Sequence, residues 1–246
     1  MQQVWTGTGD KVVRLRLPDP DENVLPGVCW GRPDRPLTPA YWAVRCQGDV
    51  LEEHSFVSRS GSLVEEVAFC ILGGFGITYE INAAAFDKLK TLGVFADDAD
   101  HSEEWIFEQL RAPLEVGGRA IRYRFPRQRA RRLHAMRTGL DGVDCASLSV
   151  LDLRRKLLEL EGVGPKTASW IVRNLLGTDE VAILDIHVLR ACQAMQLFPD
   201  AVSLPRDYVP LEKRFLAFAS AIDVRASILD MVMWVEMRRG RSPLAV

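Results

Sequence analysis

The sequence predicts a mainly α-helical protein with a short extended or β N-terminal segment, and three observations lead there. From Ser62 onward, polar capping residues repeatedly precede apolar runs at helical spacing. Before Thr38 the texture differs: VVRLRL at 12–17 alternates apolar and polar residues, and PDPDEN and GRPDRP are turn clusters, so strands or extended arms are expected. Between two helical patterns lies a glycine and proline break, LEGVGPK at 160–166. The expected organisation is an N-terminal extended/β segment over 1–58 packing on a helical body over 59–246, either one large domain or two interleaved helical subdomains. Within the body, 62–148 is expected to form the first subdomain, 149–200 the hairpin-bearing segment and 201–246 the closing helices.

A chain of 246 residues with 48% hydrophobic and 26% charged residues has ordinary globular composition and buries a sizeable core. The N-terminus lacks the apolar run of a signal peptide, and no window reaches 18 uncharged apolar residues. A soluble cytoplasmic or nucleoid-associated protein is therefore expected, away from membranes; a monomer is also expected. Cys29, Cys46, Cys70, Cys145 and Cys192 are odd in number and form no CxxC pair, which fits reduced core thiols; neither a cofactor nor a metal site built from side chains is expected. With a net charge of −2, any pull on nucleic acid must come from a local patch.

In chain order, Thr38-Pro39 ahead of AYWAVRC reads as the cap and first turn of a short helix, though YWAVRC serves equally as a strand. SLVEEVAFCILGG has a capping-box pattern from Ser62 to Glu65 and an apolar run stopped by Gly73 and Gly74, which predicts a central buried helix. A second helix follows in YEINAAAFDKLKTLGVF, with Phe86, Leu89 and Leu92 on one side and Gly93 as its stop. Ser102 and two acids open a third, which ends near Pro113. Residues 119–137 hold eight arginines and no acid, interleaved with Tyr123, Phe125 and His134. Such a run is either a solvated face or a phosphate-binding surface; the interleaved aromatics in a slightly acidic chain favour the second, with Arg129, Arg131 and Arg132 as contacts. Pro126 starts a helix burying Ala130, Leu133 and Met136, and Ser149 caps the next, LDLRRKLLEL.

Glycines at 162 and 164 let the backbone turn sharply and approach a ligand, while Pro165 opens a new helix without forfeiting a helical hydrogen bond. Free N–H groups at a positive helix end suit a DNA phosphate, so the spacing reads as a helix-hairpin-helix; an ordinary helical turn is the plainer reading. Lys166 sits in the first turn, where a cation opposes the macrodipole. It is either a nucleophile with a neutral amine fraction or a snorkelling lysine on phosphate. Asp185 follows EVAIL and precedes the helical IHVLRACQAM, which makes it an N-cap and also a fixed carboxylate able to face a developing cation.

LEGVGPKTASWIV followed by VAILDIHVLR resembles the signature of helix-hairpin-helix (HhH-GPD) base-excision DNA glycosylases, in particular the lysine-bearing 8-oxoguanine DNA glycosylase/AP lyase branch. The tight resemblance spans about 35 residues, and the helical layout extends it with lower specificity. It implies double-stranded DNA as partner and a damaged base flipped from the duplex into a pocket. It further implies attack by Lys166 on C1′, β-elimination through a Schiff base, and stabilisation of the cationic transition state by Asp185. Gly162, Val163, Gly164 and Thr167 would hold the phosphate backbone, with a monovalent cation on the carbonyls of Glu161 and Val163. His187 would lie near the flipped nucleotide, and Asp230 and Trp234 in the base pocket, where Trp234 reads equally as core; Trp42 is a further candidate for the pocket or wedge.

Relatives place polar residues after the buried helix to probe the orphaned base, whereas this chain reads GGFGITYE. Gly73, Gly74 and Gly76 offer no side-chain reader, and Phe75 or Tyr79 is expected to wedge into the stack. The glycines also leave room, which raises a second substrate reading: excision of a hypermodified base, such as glucosylated hydroxymethylcytosine, from phage DNA as defence. The N-terminal segment is too short for the β domain of eukaryotic-type relatives, and RSPLAV lacks the terminal lysine of the archaeal type. A different class, a DNA-binding module that grips phosphates without chemistry, is disfavoured by the pairing of Lys166 with Asp185.

Overall fold

The computed structural model describes residues 1–8, 11–47, 62–74, 76–96 and 99–239. In chain order the N-terminal elements are β1 (Gln2–Thr8), β2 (Lys11–Leu17), β3 (Asn23–Leu25), β4 (Val28–Cys29) and α1 (Pro39–Arg45). Next come α2 (Leu63–Leu72), α3 (Tyr79–Thr91), α4 (Glu103–Arg111), β5 (Leu114–Val116), β6 (Arg119–Ile121), α5 (Pro126–Leu140) and α6 (Val150–Leu157). The chain continues through α7 (Pro165–Leu176), α8 (Ile186–Ala194), α9 (Tyr208–Ala221) and α10 (Ala226–Arg239). It divides into two compact units, one formed by residues 1–57 with 177–246 and the other by 58–176. The 149–200 stretch expected as one segment is thus parted after Leu176, and the N-terminal segment belongs with the last three helices.

In the first unit, β1 and β2 pair antiparallel from Gln2↔Leu17 to Thr8↔Lys11. The helix-or-strand ambiguity at YWAVRC resolves as helix: the Thr38 hydroxyl accepts the Tyr41 N–H at 3.1 Å and Pro39 occupies the first turn. The core gathers Trp42, Tyr208, Phe215, Phe218, Leu229 and Met233 from α1, α9 and α10, with Val188 and Cys192 from α8.

In the second unit, α2 is the central helix, buried from Glu66 through Leu72. Ser62 caps it through the Glu65 N–H at 3.2 Å, but Glu65 does not close the box: its carboxylate meets Lys90 at 2.9 Å. In α3, Phe86 and Leu89 are buried, whereas Leu92 is 39% exposed. The helix ends at Thr91, so Leu92, as its C-cap, leaves the buried face before Gly93 turns the chain at φ +75°. β5 and β6 form a hairpin that the helical reading missed, turning on Gly117 and Gly118, both at positive φ. The carbonyls at the end of α2 and at its C-cap Gly73 are held from α3, from α5 and from the loop between β6 and α5. Asn82 donates to the Phe69 carbonyl at 3.1 Å, Tyr123 to that of Leu72, and Arg129 to that of Gly73 at 2.9 Å.

All five cysteines are free, but only Cys46, Cys70 and Cys192 are core residues; Cys29 is exposed and Cys145 half-buried.

Candidate active site

The hairpin follows from its residue types. Gly162 adopts φ +85°, which demands glycine, and a side chain there would also displace the Arg132 guanidinium. Val163 is buried and its N–H donates to the Leu160 carbonyl at 3.1 Å, which anchors the turn. Gly164 is exposed, and its carbonyl accepts the Ala168 N–H at 2.9 Å to start α7. Ala168, Ile171 and Val172 bury one face of α7. Lys166 and Thr167, half-buried, stand in its first turn.

Lys166, Trp170 and Asn174 repeat at a spacing of four, so they share a second face of α7. The Lys166 ammonium lies 5.9 Å from the Trp170 ring centroid. Trp170 meets Phe69 edge-on at 6.4 Å, and Phe69 meets Phe86 at 5.4 Å and Tyr79 at 6.2 Å. Asn174 donates to the Glu66 carboxylate at 3.0 Å, and burial among apolar neighbours raises Glu66 above the ordinary carboxylate range. The sequence reading missed Trp170 and Phe69, although a tryptophan one turn beyond the lysine was a visible signal.

The arginine block, free of acids in sequence, meets acids in space. Arg129, expected on DNA, is buried at 8% exposure and spent on the Gly73 carbonyl. Arg131 pairs with Glu161 of the hairpin, and Arg132 lies 3.7 Å from the same carboxylate while covering Gly162. Arg127 pairs with Glu104, and Arg137 donates to the carbonyls of Val94 and Ala96 at 3.1 Å each. Guanidinium groups stand beside the glycines after α2: a Cβ at Gly74 would lie 3.3 Å from that of Arg129, and one at Gly76 would meet that of Arg124.

In the other unit, Asp185 caps α8. Its Oδ1 accepts the N–H groups of His187 at 2.8 Å and Val188 at 2.9 Å, and Oδ2 makes no hydrogen bond among the described residues. The strip before it is braced by side chains. Glu212 accepts the Ala182 N–H at 3.1 Å, Asp230 that of Ile183 at 2.9 Å, and the Tyr208 hydroxyl that of Leu184 at 3.2 Å. His187 is half-buried in the first turn of α8.

Several pocket expectations change. Asp230, 2% exposed, braces the backbone ahead of Asp185 instead of presenting an open carboxylate. Trp42 is fully buried in the core of its unit and offers no face for stacking. Trp234 is half-buried with the Arg238 guanidinium 5.0 Å from its ring centroid. Tyr79 is 41% exposed, and Phe75 lies outside the described residues. Among the described residues, no group of three His, Cys, Asp or Glu side chains is placed to hold a metal ion.

A mainly helical chain whose glycine hairpin opens a lysine-bearing helix, followed by an aspartate-capped helix, has the layout of the helix-hairpin-helix DNA glycosylases. The family described as 8-oxoguanine DNA glycosylase (Ogg-HhH) matches residues 51–224, well over half of the 246 residues. The chain belongs to this 8-oxoguanine DNA glycosylase family. It is 32% identical over 131 residues to the 8-oxoguanine DNA glycosylase/AP lyase of Metallosphaera sedula, a match covering 52% of this chain and 62% of that relative's length. The enzyme of the same name from Methanocaldococcus jannaschii is 28% identical over 206 residues, 78% of this chain and 88% of the relative. Among solved structures, the 8-oxoguanine DNA glycosylase of Thermotoga maritima aligns with a TM-score of 0.57 at 25% identity, covering 80% of this chain and 88% of that one. The M. jannaschii 8-oxoguanine glycosylase/lyase in complex with a 15mer DNA containing 8-oxoguanine aligns with a TM-score of 0.55 at 25% identity, covering 78% and 87%.

Proposed function

We propose that the protein is a DNA glycosylase with AP-lyase activity, that 8-oxoguanine in double-stranded DNA is its substrate, and that Lys166 is the nucleophile. The observation that carries the reading is Lys166 in the first turn of α7, directly after the Gly162–Gly164 hairpin, in a chain of this family. There a cation opposes the helix dipole, so stability does not explain it.

The Lys166 amine attacks C1′ of the deoxyribose; the N–C1′ bond forms as the glycosidic bond breaks, and the base leaves with the electron pair and takes up the proton that the nitrogen loses, after which the C1′–O4′ bond opens, O4′ gaining a proton from water, to give the Schiff base. Loss of the C2′ proton from the resulting Schiff base expels the 3′ phosphate by β-elimination and nicks the strand. Asp185, fixed by two N–H groups, provides negative charge as positive charge grows on the sugar. Gly162, Val163, Gly164 and Thr167 hold the phosphate backbone, with His187 near the nucleotide. The carbonyls of Glu161 and Val163, which accept no backbone hydrogen bond among the described residues, suit a monovalent cation. Tyr79 serves as the wedge and Trp234 as a wall of the base pocket.

The hypermodified-base reading drew on the lack of polar side chains at Gly73, Gly74 and Gly76 and on the room they leave; the guanidinium groups of Arg129 and Arg124 stand beside Gly74 and Gly76, and the named relatives act on 8-oxoguanine, which favours that base. An excision panel tests the substrate: duplexes bearing 8-oxoguanine, uracil, alkylated purines, or hydroxymethylated and glucosylated cytosine. Release confined to or fastest for 8-oxoguanine is expected; preferential release of glucosylated cytosine would overturn the assignment.

A further inference from the structure

The β1–β2 ribbon precedes the residues that the family match covers, which begin at 51. Strand alternation and the pairings Gln3↔Arg16, Trp5↔Arg14 and Gly7↔Val12 put these six residues on one face. That face is turned outward: Trp5 is 65% and Val12 69% exposed, and Gln3, Arg14 and Arg16 are exposed as well. The opposite face carries Leu17, buried at 7%, and Val4, packed against the core.

Arg14 lies 5.4 Å from the Trp5 ring centroid and donates to the Gln3 side-chain carbonyl at 2.6 Å. Both partners are neutral, so the Arg14 charge is oriented without being cancelled. Among the described residues neither Arg14 nor Arg16 has a carboxylate partner, in contrast to Arg127 and Arg131 of α5. Two residues apart on one strand, the two arginines are separated by about 6.8 Å, near enough for both to reach phosphates of one DNA strand, which rise about 3.4 Å each along the helix axis. An exposed indole beside them adds a flat apolar surface for the sugars between the phosphates.

We infer that this face is a second DNA contact, in which Arg14 and Arg16 neutralise two phosphates of the duplex flanking the lesion while Trp5 packs on the backbone between them. The inference rests on the glycosylase reading for the presence of a lesion, though not for the contact itself.

The test measures binding of the full chain to an undamaged fluorescent duplex over a range of salt. For R14Q/R16Q the slope of log K against log salt should be shallower by about two, since each phosphate contact contributes about −0.9. Between 50 and 200 mM salt the native protein should accordingly lose about tenfold more affinity than the variant. R14K/R16K should restore the native slope because charge, not shape, sets it, and W5A should weaken binding with the slope unchanged. An unchanged slope in R14Q/R16Q, or one that R14K/R16K does not restore, would overturn the contact. Schiff-base trapping at Lys166, measured separately, reports on the glycosylase reading. If trapping fails while the slope shifts, that reading falls and the ribbon contact stands.

Discussion

The two helices that carry the candidate chemistry begin in opposite ways. At the mouth of α8, Asp185 accepts two of the orphan N–H groups and places a negative charge at the positive helix end, which stabilises by about 1 kcal/mol. At the mouth of α7, the cap position is Gly164, which has no side chain to accept anything, and the first turn brings a lysine. A cation there costs about 0.3–1 kcal/mol. Fold stability therefore accounts for Asp185 and fails to account for Lys166. The open mouth has N–H groups to offer a ligand, while the closed mouth has a held carboxylate with Oδ2 to spare.

The contrast breaks most sharply under substitution. Lys166→Gln is expected to abolish strand nicking while the melting temperature holds or rises, because removing the cation relieves the helix end; a stability loss with nicking intact would reverse the assignment. Asp185→Asn separates charge from cap, since asparagine caps as well as aspartate. Excision should slow on the order of 100-fold with little change in stability, whereas Asp185→Ala should also lower the melting point by about 2–4 °C. Full excision by the asparagine variant would leave residue 185 as a cap and nothing more.

Smaller effects sharpen the picture of the hairpin. Glu161 pairs with Arg131 beside the phosphate grip, so Glu161→Gln should free a cation and tighten binding to undamaged duplex about threefold, with a steeper salt slope. Titrations showing equal affinity would place Arg131 facing solvent. The smallest expected effect concerns Glu66. Burial raises its folded-state pKa, so the native state holds its proton more tightly than the unfolded chain does, and stability falls as pH rises through the interval just above the ordinary carboxylate value. Glu66→Gln should flatten that part of a melting-temperature profile, and an unaltered profile would locate the pH dependence elsewhere.

Local signals carried most of what was legible beforehand. Ser62, Ser102, Ser149 and Asp185 cap the helices their spacing announced, since a cap bond spans only two or three residues. The glycine hairpin and the buried faces of α2 and α5 read equally well, and so did Thr38, though only as one of two choices. What stayed hidden depends on partners far along the chain. Arg131 and Glu161 are 30 residues apart, Asp230 and the Ile183 amide 47, and Arg129 and the Gly73 carbonyl 56. An arginine run without acids in sequence looks like a DNA surface until folding brings Glu104 and Glu161 to it. Trp42 and Asp230 look like pocket residues for a similar reason, because an aromatic or an acid shows its type in the sequence and not its burial. The Gly117-Gly118 turn was legible, and the helical texture around it masked the hairpin.

The central claim is that the lysine of the open helix mouth forms the covalent bond. Borohydride reduction of the full chain on duplex DNA carrying 8-oxoguanine, followed by mass mapping of the DNA-linked peptide, tests it directly. The expected result is a single adduct on the peptide containing Lys166, absent from Lys166→Gln. An adduct on another lysine, or an equal yield from the variant, would contradict it.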